Sequence, residues 1–264
     1  MSKKKKMLVA NWKMNPGSLE KAREIFLAVR RAGAKVRNVE TVICPPAIFL
    51  QPLGRLLRPE DGNLSLGAQN AFYDAGRTNH TGEISMEMIR DAGAEYLIIG
   101  HSERRKKGES DETVNIKLRA ALEFSLTPIL CVGEEARDGE GLYLSFVKNQ
   151  IEKGLQGLSA REAAKVVIAY EPVFAIGKRA DEAAKPDDVT EMVIFTRRVL
   201  SDLYTRAQKK GENSLNTPTV LYGGSVAPPN AAALLAAGVG GFLVGRESLR
   251  MEEFAEIQAI LDVS

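Results

Sequence analysis

Cysteine and histidine are scarce in this chain of 264 residues, with two of each. Cys44 and Cys131 each sit at the end of an apolar, strand-like run, and two thiols in a chain this long do not make a disulfide framework. Buried free thiols in a reducing compartment are the expected state. With only His80 and His101 available, and no paired Cys or His spacing, no metal site is expected. Long apolar runs are missing too. None is long enough for a signal-peptide core or a membrane span, so the reading is of a cytoplasmic protein with no membrane partner. Nor does charge of one sign dominate: 36 Lys and Arg against 34 Asp and Glu leave a net +2, which gives no reason to expect nucleic acid. The local exception is the lysine run at 3–6. It fits a nucleic-acid or membrane contact on one reading and a solvated tail on the other; the expectation here is a basic, disordered tail at 1–6 ahead of a single domain at 7–264.

A Gly-x-Gly-x-x-Gly turn after the first strand is also lacking, which argues against a doubly wound open sheet. No shift in composition marks a second domain. What is present is alternation. Short apolar runs occur at 7–10, 41–44, 64–67, 96–100, 128–132, 166–170, 219–222 and 242–245. They are continuous rather than alternating, as in parallel strands buried on both faces. Helical periods fill the gaps. Leu19, Ala22, Phe26 and Val29 share one face, and Gly33 is read as the stop. Val114, Leu118, Ala121, Leu122 and Ser125 share another, with Ser110 as N-cap and Asp111 and Glu112 in the first turn. Val189, Met192, Val193, Thr196, Val199 and Leu203 mark a third, and shorter periods begin near Pro46, Glu83, Leu142, Pro229 and Glu247. Eight strand–helix units of about 33 residues each predict an α/β fold, a single (β/α)8 barrel. Two connections are long, at 69–82 and 177–186, and each is either functional or a loose surface loop.

The segment Val166-Val167-Ile168-Ala169-Tyr170-Glu171-Pro172 shows where chemistry resides. Pro172 biases Glu171 towards extended backbone, so the carboxylate caps a buried strand on a rigid element. The segment from Val173 opens a long polar connection of the kind that folds over a site. In a (β/α)8 barrel the active site lies at the C-terminal strand ends. There the first strand supplies Asn11 and Lys13, the fourth His101 and Glu103, and the sixth Glu171. The seventh and eighth end in Gly223-Gly224-Ser225 and Gly245-Arg246. Those two glycine loops suit a phosphate, since glycine lets backbone N–H groups approach an anion, though they also read as tight βα turns. A carboxylate base beside an ammonium and an imidazole suits removal of a proton next to a carbonyl, because the enolate charge is then stabilised. Taken singly, Lys13 also reads as a surface lysine and His101 as a satisfied core histidine.

Asn11-Trp12-Lys13-Met14-Asn15, Ile99-Gly100-His101-Ser102-Glu103-Arg104-Arg105, Ala169-Tyr170-Glu171-Pro172-Val173, Tyr222-Gly223-Gly224-Ser225-Val226 and Gly241-Phe242-Leu243-Val244-Gly245 together resemble the triosephosphate isomerase family. Gly67-Ala68-Gln69-Asn70, Thr81-Gly82-Glu83-Ile84-Ser85 and Gly108-Glu109-Ser110-Asp111-Glu112 do the same, in order, across residues 7 to about 250. The resemblance implies a TIM barrel that interconverts dihydroxyacetone phosphate and D-glyceraldehyde 3-phosphate without a cofactor. It implies Glu171 as the proton-shuttling base, His101 as a neutral electrophile, Lys13 and Asn11 on the substrate oxygens, and Glu103 as a buried acid positioning Lys13. Backbone groups near Gly177, Ser225, Gly245 and Arg246 would hold the phosphate. The loop at 69–82 would reach a second copy, placing Thr81 near the partner's Asn11 and Lys13, which implies a homodimer. The chain departs from the family where Phe174 replaces a usual Trp, where 178–185 replaces a glycine-containing lid tip, and where Arg246 replaces a glycine. Two other readings share the barrel: an isomerase of another small sugar phosphate, and a catalytically silent phosphometabolite-binding barrel. The intact set Asn11, Lys13, His101 and Glu171 speaks against both.

Overall fold

A computed structural model of the chain describes residues 5–73, 79–176, 184–205 and 218–264. Eight parallel strands close into a barrel in chain order: β1 (Lys6–Asn11), β2 (Val39–Cys44), β3 (Leu64–Ala68), β4 (Ala94–Ile99), β5 (Thr127–Val132), β6 (Val167–Tyr170), β7 (Val220–Tyr222) and β8 (Gly241–Val244). The helices around it are α1 (Leu19–Gly33), α2 (Ala47–Gly54), α3 (Met86–Asp91), α4 (Ser102–Arg105), α5 (Asp111–Glu123), α6 (Leu142–Gly154), α7 (Ala160–Ala163), α8 (Pro186–Thr205), α9 (Pro228–Ala236) and α10 (Met251–Asp262). This is the expected (β/α)8 TIM barrel. None of the described helices is long and apolar enough to cross a membrane.

Both faces of the barrel wall are buried, which explains the unbroken apolar runs. Val9, Val42, Ile98, Ile129, Ala169 and Leu243 point inwards and fill the barrel. Their strand neighbours Leu8, Ile43, Leu97, Leu130, Ile168 and Phe242 point outwards into the layer shared with the helices. Each fully buried Leu, Ile or Phe is worth about 1.5–3 kcal/mol relative to exposure. The helices meet this layer with the faces their periodicity predicts. In α1 the buried residues are Ala22, Ile25, Phe26 and Val29. In α5 the Ser110 hydroxyl caps the N-terminus by accepting from Thr113 N–H at 3.2 Å.

The differences from the sequence reading have local causes. Strand β4 starts two residues early because Glu95 interrupts the apolar run while its side chain reaches out to Ser65. Strand β8 starts at Gly241, whose φ of +145° and lack of a side chain admit the Met7 carbonyl 1.8 Å from where a Cβ would stand. Lys6, read as the end of the tail, is the first residue of β1, its N–H bonded to Asn38 O at 2.8 Å. Gly33 does not stop α1 by a left-handed turn. It remains helical, and Ala34 caps the end at φ −63°. The period near Glu247 resolves into a 3₁₀ turn at Arg246–Leu249 followed by α10, and α3 begins only after Ser85, whose hydroxyl caps Met88 N–H.

Gly67 shows how tightly the barrel interior is filled. A Cβ there would lie 2.6 Å from Cys44 Sγ and 3.1 Å from Tyr96 Cβ, side chains of the two flanking strands. Gly67→Ala should lower the unfolding free energy by about 1–3 kcal/mol, read as a lower urea midpoint with unchanged slope.

Candidate active site

The C-terminal strand ends surround a cavity of about 250 Å³ lined by Asn11, Lys13, His101, Glu171, Ser225, Gly245 and Arg246, among others. Thus residues from β1, β4, β6, β7 and β8, distant in sequence, meet at one place.

Glu171 follows β6 directly. Its N–H bonds to Val132 O at 2.7 Å, which carries the backbone one residue beyond the strand. Its side chain is only 3% exposed. A buried carboxylate needs partners: Oε2 accepts from Ser102 N–H at 3.3 Å, and Oε1 lies 3.3 Å from His101 Nε2. Two glycines make room for it. A Cβ on Gly133 would stand 1.9 Å from the Glu171 carbonyl oxygen, and one on Gly223 would stand 2.8 Å from Glu171 Cγ.

His101 caps α4. Its Nδ1 accepts from Glu103 N–H at 3.1 Å, a bond open only to an unprotonated Nδ1. The ring proton is therefore on Nε2, facing the Glu171 carboxylate. The backbone of one helical turn selects the tautomer.

Lys13 has a left-handed backbone, φ +51°, which costs a non-glycine residue about 1–2 kcal/mol. Neighbouring side chains hold it there. Asn11 Oδ1 accepts from Lys13 N–H at 3.1 Å, and Gln69 Nε2 donates to Lys13 O at 2.8 Å and to Cys44 O at 2.9 Å. The ammonium ends 2.6 Å from Glu103 Oε1. Glu103 was expected to be buried, and that expectation is corrected: its side chain is 57% exposed. It lies in the first turn of α4, and the contact with Lys13 is made at the cavity rim. Partial burial pushes its pKa up, but the hydrogen bond and charge of Lys13 outweigh this and hold it below the usual carboxylate range.

At the other end, Ser225 Oγ donates to Ala175 O at 2.8 Å, and Asn230 of α9 ties down the loop by donating to Ser225 O at 3.1 Å. Gly245 and Arg246 open the 3₁₀ turn after β8. Gly177 lies outside the described residues. Thr81 is exposed and does not line the cavity of its own chain.

Several supporting residues escape a reading by strand ends. Gln69 acts across strands on carbonyl groups, which leaves no periodic trace. Glu109 and Lys117 form a buried ion pair behind the His101 loop. Glu109 Oε2 accepts from Gly100 N–H at 3.1 Å, and Lys117 Nζ also bonds Asn70 Oδ1 at 2.6 Å. Lys117 does leave a signal: it falls three after Val114 and four before Ala121, a charge on the buried face of α5.

The model of the family described as triosephosphate isomerase matches residues 6–261, from β1 to the last turn of α10. The chain belongs to that family. It is 40% identical over 257 residues to the triosephosphate isomerase of Endomicrobium trichonymphae, covering 96% of this chain and 98% of that protein. It is 39% identical over 260 residues to the one from Carboxydothermus hydrogenoformans, again covering 96% and 98%, and 40% identical over 258 residues to the one from Dictyoglomus turgidum, with the same coverage.

Gly223→Ala gives a direct test of the packing at Glu171. The added methyl should displace the carboxylate by some tenths of an ångström, lowering kcat about tenfold or more while KM changes little, as measured by steady-state kinetics.

Proposed function

We propose that Glu171, His101 and Lys13 carry out the reaction of this family in the cavity described above. The chain interconverts dihydroxyacetone phosphate and D-glyceraldehyde 3-phosphate, a step of glycolysis and gluconeogenesis. Glu171 takes a proton from C1 of the ketone, leaving an enediolate, and returns it to C2 to give the aldehyde. His101 donates from Nε2 to the substrate oxygens and moves the proton between them. Lys13 offsets the negative charge that develops, with Asn11 beside it, and Glu103 orients the ammonium. The backbone at Ser225, Gly245 and Arg246 receives the phosphate, with Gly177 from the connection that follows β6. This reaction needs no cofactor, since every proton has a donor and an acceptor among these groups.

The observation that carries the reading is the pairing of His101 with Glu171. A base and a neutral N–H donor face each other at 3.3 Å, with an ammonium in the same cavity. An enediolate formed in the cavity beside them has a proton acceptor on carbon and a donor on oxygen together. The phosphate lies remote from the reacting carbons, so its binding energy is available for orientation and for excluding water.

The working unit is a homodimer in this proposal. Met14 is 92% exposed, Ile48 77% and Met88 61%, with Tyr73 also exposed. Met14 and Tyr73 sit in the connections after β1 and β3, Ile48 at the start of α2 and Met88 on α3. That is an apolar surface of the kind a partner covers. A second copy seated there brings its Thr81 towards Asn11 and Lys13. A cytoplasmic location fits the two buried free cysteines.

Glu171→Asp shortens the base by one carbon and should lower kcat about a hundredfold or more in a coupled assay with glyceraldehyde 3-phosphate; unchanged activity would overturn the assignment. Dilution that produces monomers by light scattering should abolish activity, whereas a fully active monomer would remove Thr81 from the account.

A further inference from the structure

We infer that Arg137 is a positioning residue for the isomerisation, clamping the segment that carries Glu171 from both sides and tying it to the first turns of α8. The inference rests on the reading of Glu171 as the base.

Arg137 lies in the connection between β5 and α6, away from the cavity. Its guanidinium is bonded along every edge. Nε donates to Glu134 Oε1 at 3.2 Å. Nη1 donates to Asp188 Oδ1 at 2.9 Å and Glu191 Oε2 at 3.1 Å. Nη2 donates to the Tyr170 hydroxyl at 3.4 Å and to Asp188 O at 3.3 Å. The guanidinium carbon also stands 4.8 Å from the centre of the Tyr143 ring and 5.9 Å from that of Phe174, the second at the outer range of a cation–π contact.

The partners are arranged around the base. Tyr170 precedes Glu171 and Phe174 follows it by three residues. The Tyr170 hydroxyl also donates to Glu134 Oε1 at 2.7 Å, and Glu134 O accepts from Val173 N–H at 2.9 Å. Residues on either side of Glu171 are therefore attached to one Glu134–Arg137 pair, and Arg137 adds α8 through Asp188 and Glu191. Phe174 has no polar atom in its side chain, and its ring meets the network through the guanidinium.

A guanidinium is needed for this. The Glu134 side chain is 2% exposed, and Arg137 is the cation beside it. Lysine would preserve that charge. A single ammonium cannot span three carboxylates, a hydroxyl and a carbonyl while lying against two rings. Loss of the fork should loosen residues 170–174 without emptying the core, and a base misplaced by about 1 Å loses about a hundredfold in rate.

The test uses Arg137→Lys, together with the double variant Glu134→Gln/Arg137→Met, which leaves no buried charge uncompensated. For each, kcat, KM, the thermal midpoint and the ratio of inorganic phosphate released to triose isomerised are measured. That ratio reports the intermediate: an enediolate that is not held and reprotonated expels phosphate by breaking its C3–O bond. The expected result is a kcat lowered about tenfold to a hundredfold, a KM within about threefold of the parent, and a severalfold higher phosphate ratio, in protein that remains folded. The proposal is overturned if kcat and the ratio stay at parent values in both variants, or if activity falls only in step with the folded fraction. Glu171→Asp in the same assay separates the two claims. If it is impaired while Arg137→Lys is normal, only the role of Arg137 fails; if it is fully active, the reading of the base fails.

Discussion

The pairing of β8 with β1 is the constraint on which the site depends. Without it, the ends of the first and last strands would lie at opposite edges of a sheet, and Lys13 and Gly245 could not line one cavity. Closure requires the two backbones to approach very closely where Gly241 faces Met7. It also requires a filled interior, in which Val9, Ile98, Ala169 and Leu243 are buried against one another. The rigid wall then presents its C-terminal rim as a fixed frame, and the side chains that line the cavity take their geometry from it.

Glu171 illustrates what such a frame permits. A carboxylate this deeply buried would be unfavourable without partners. The rim supplies a backbone N–H from Ser102, the Nε2 of His101, and glycines at 133 and 223 where side chains would collide with it. Three different strand ends therefore shape the environment of one functional group. The same holds for Lys13, whose left-handed backbone is sustained by Asn11 from its own strand and Gln69 from beyond β3.

What was legible in the sequence follows from this division. Strands buried on both faces write themselves as apolar runs, so the barrel could be read directly. Glu171 could be read because an apolar run that ends in a carboxylate and a proline leaves few alternatives. Lys13 and His101 became readable only as members of a set at strand ends. Gln69, Lys117 and Arg137 were not read, because each acts on groups far away in the chain and none interrupts a pattern except Lys117, whose charge lies on an apolar helix face. Glu103 was read with the right partner and the wrong burial. Its pairing depends on reach, while its exposure depends on which side of a single helical turn faces water, and a four-residue helix has too short a period to say.

Glu103 has one more consequence. Its peptide N–H serves His101, and its carboxylate serves Lys13. One residue thus touches two groups of the candidate site by two chemically independent routes. The peptide contribution is the same for any amino acid other than proline, so it is insulated from mutation. The carboxylate contribution is not. Variation at position 103 can therefore retune the ammonium while the imidazole keeps its tautomer, which makes this rim position a place where the settings of the two side chains can evolve separately.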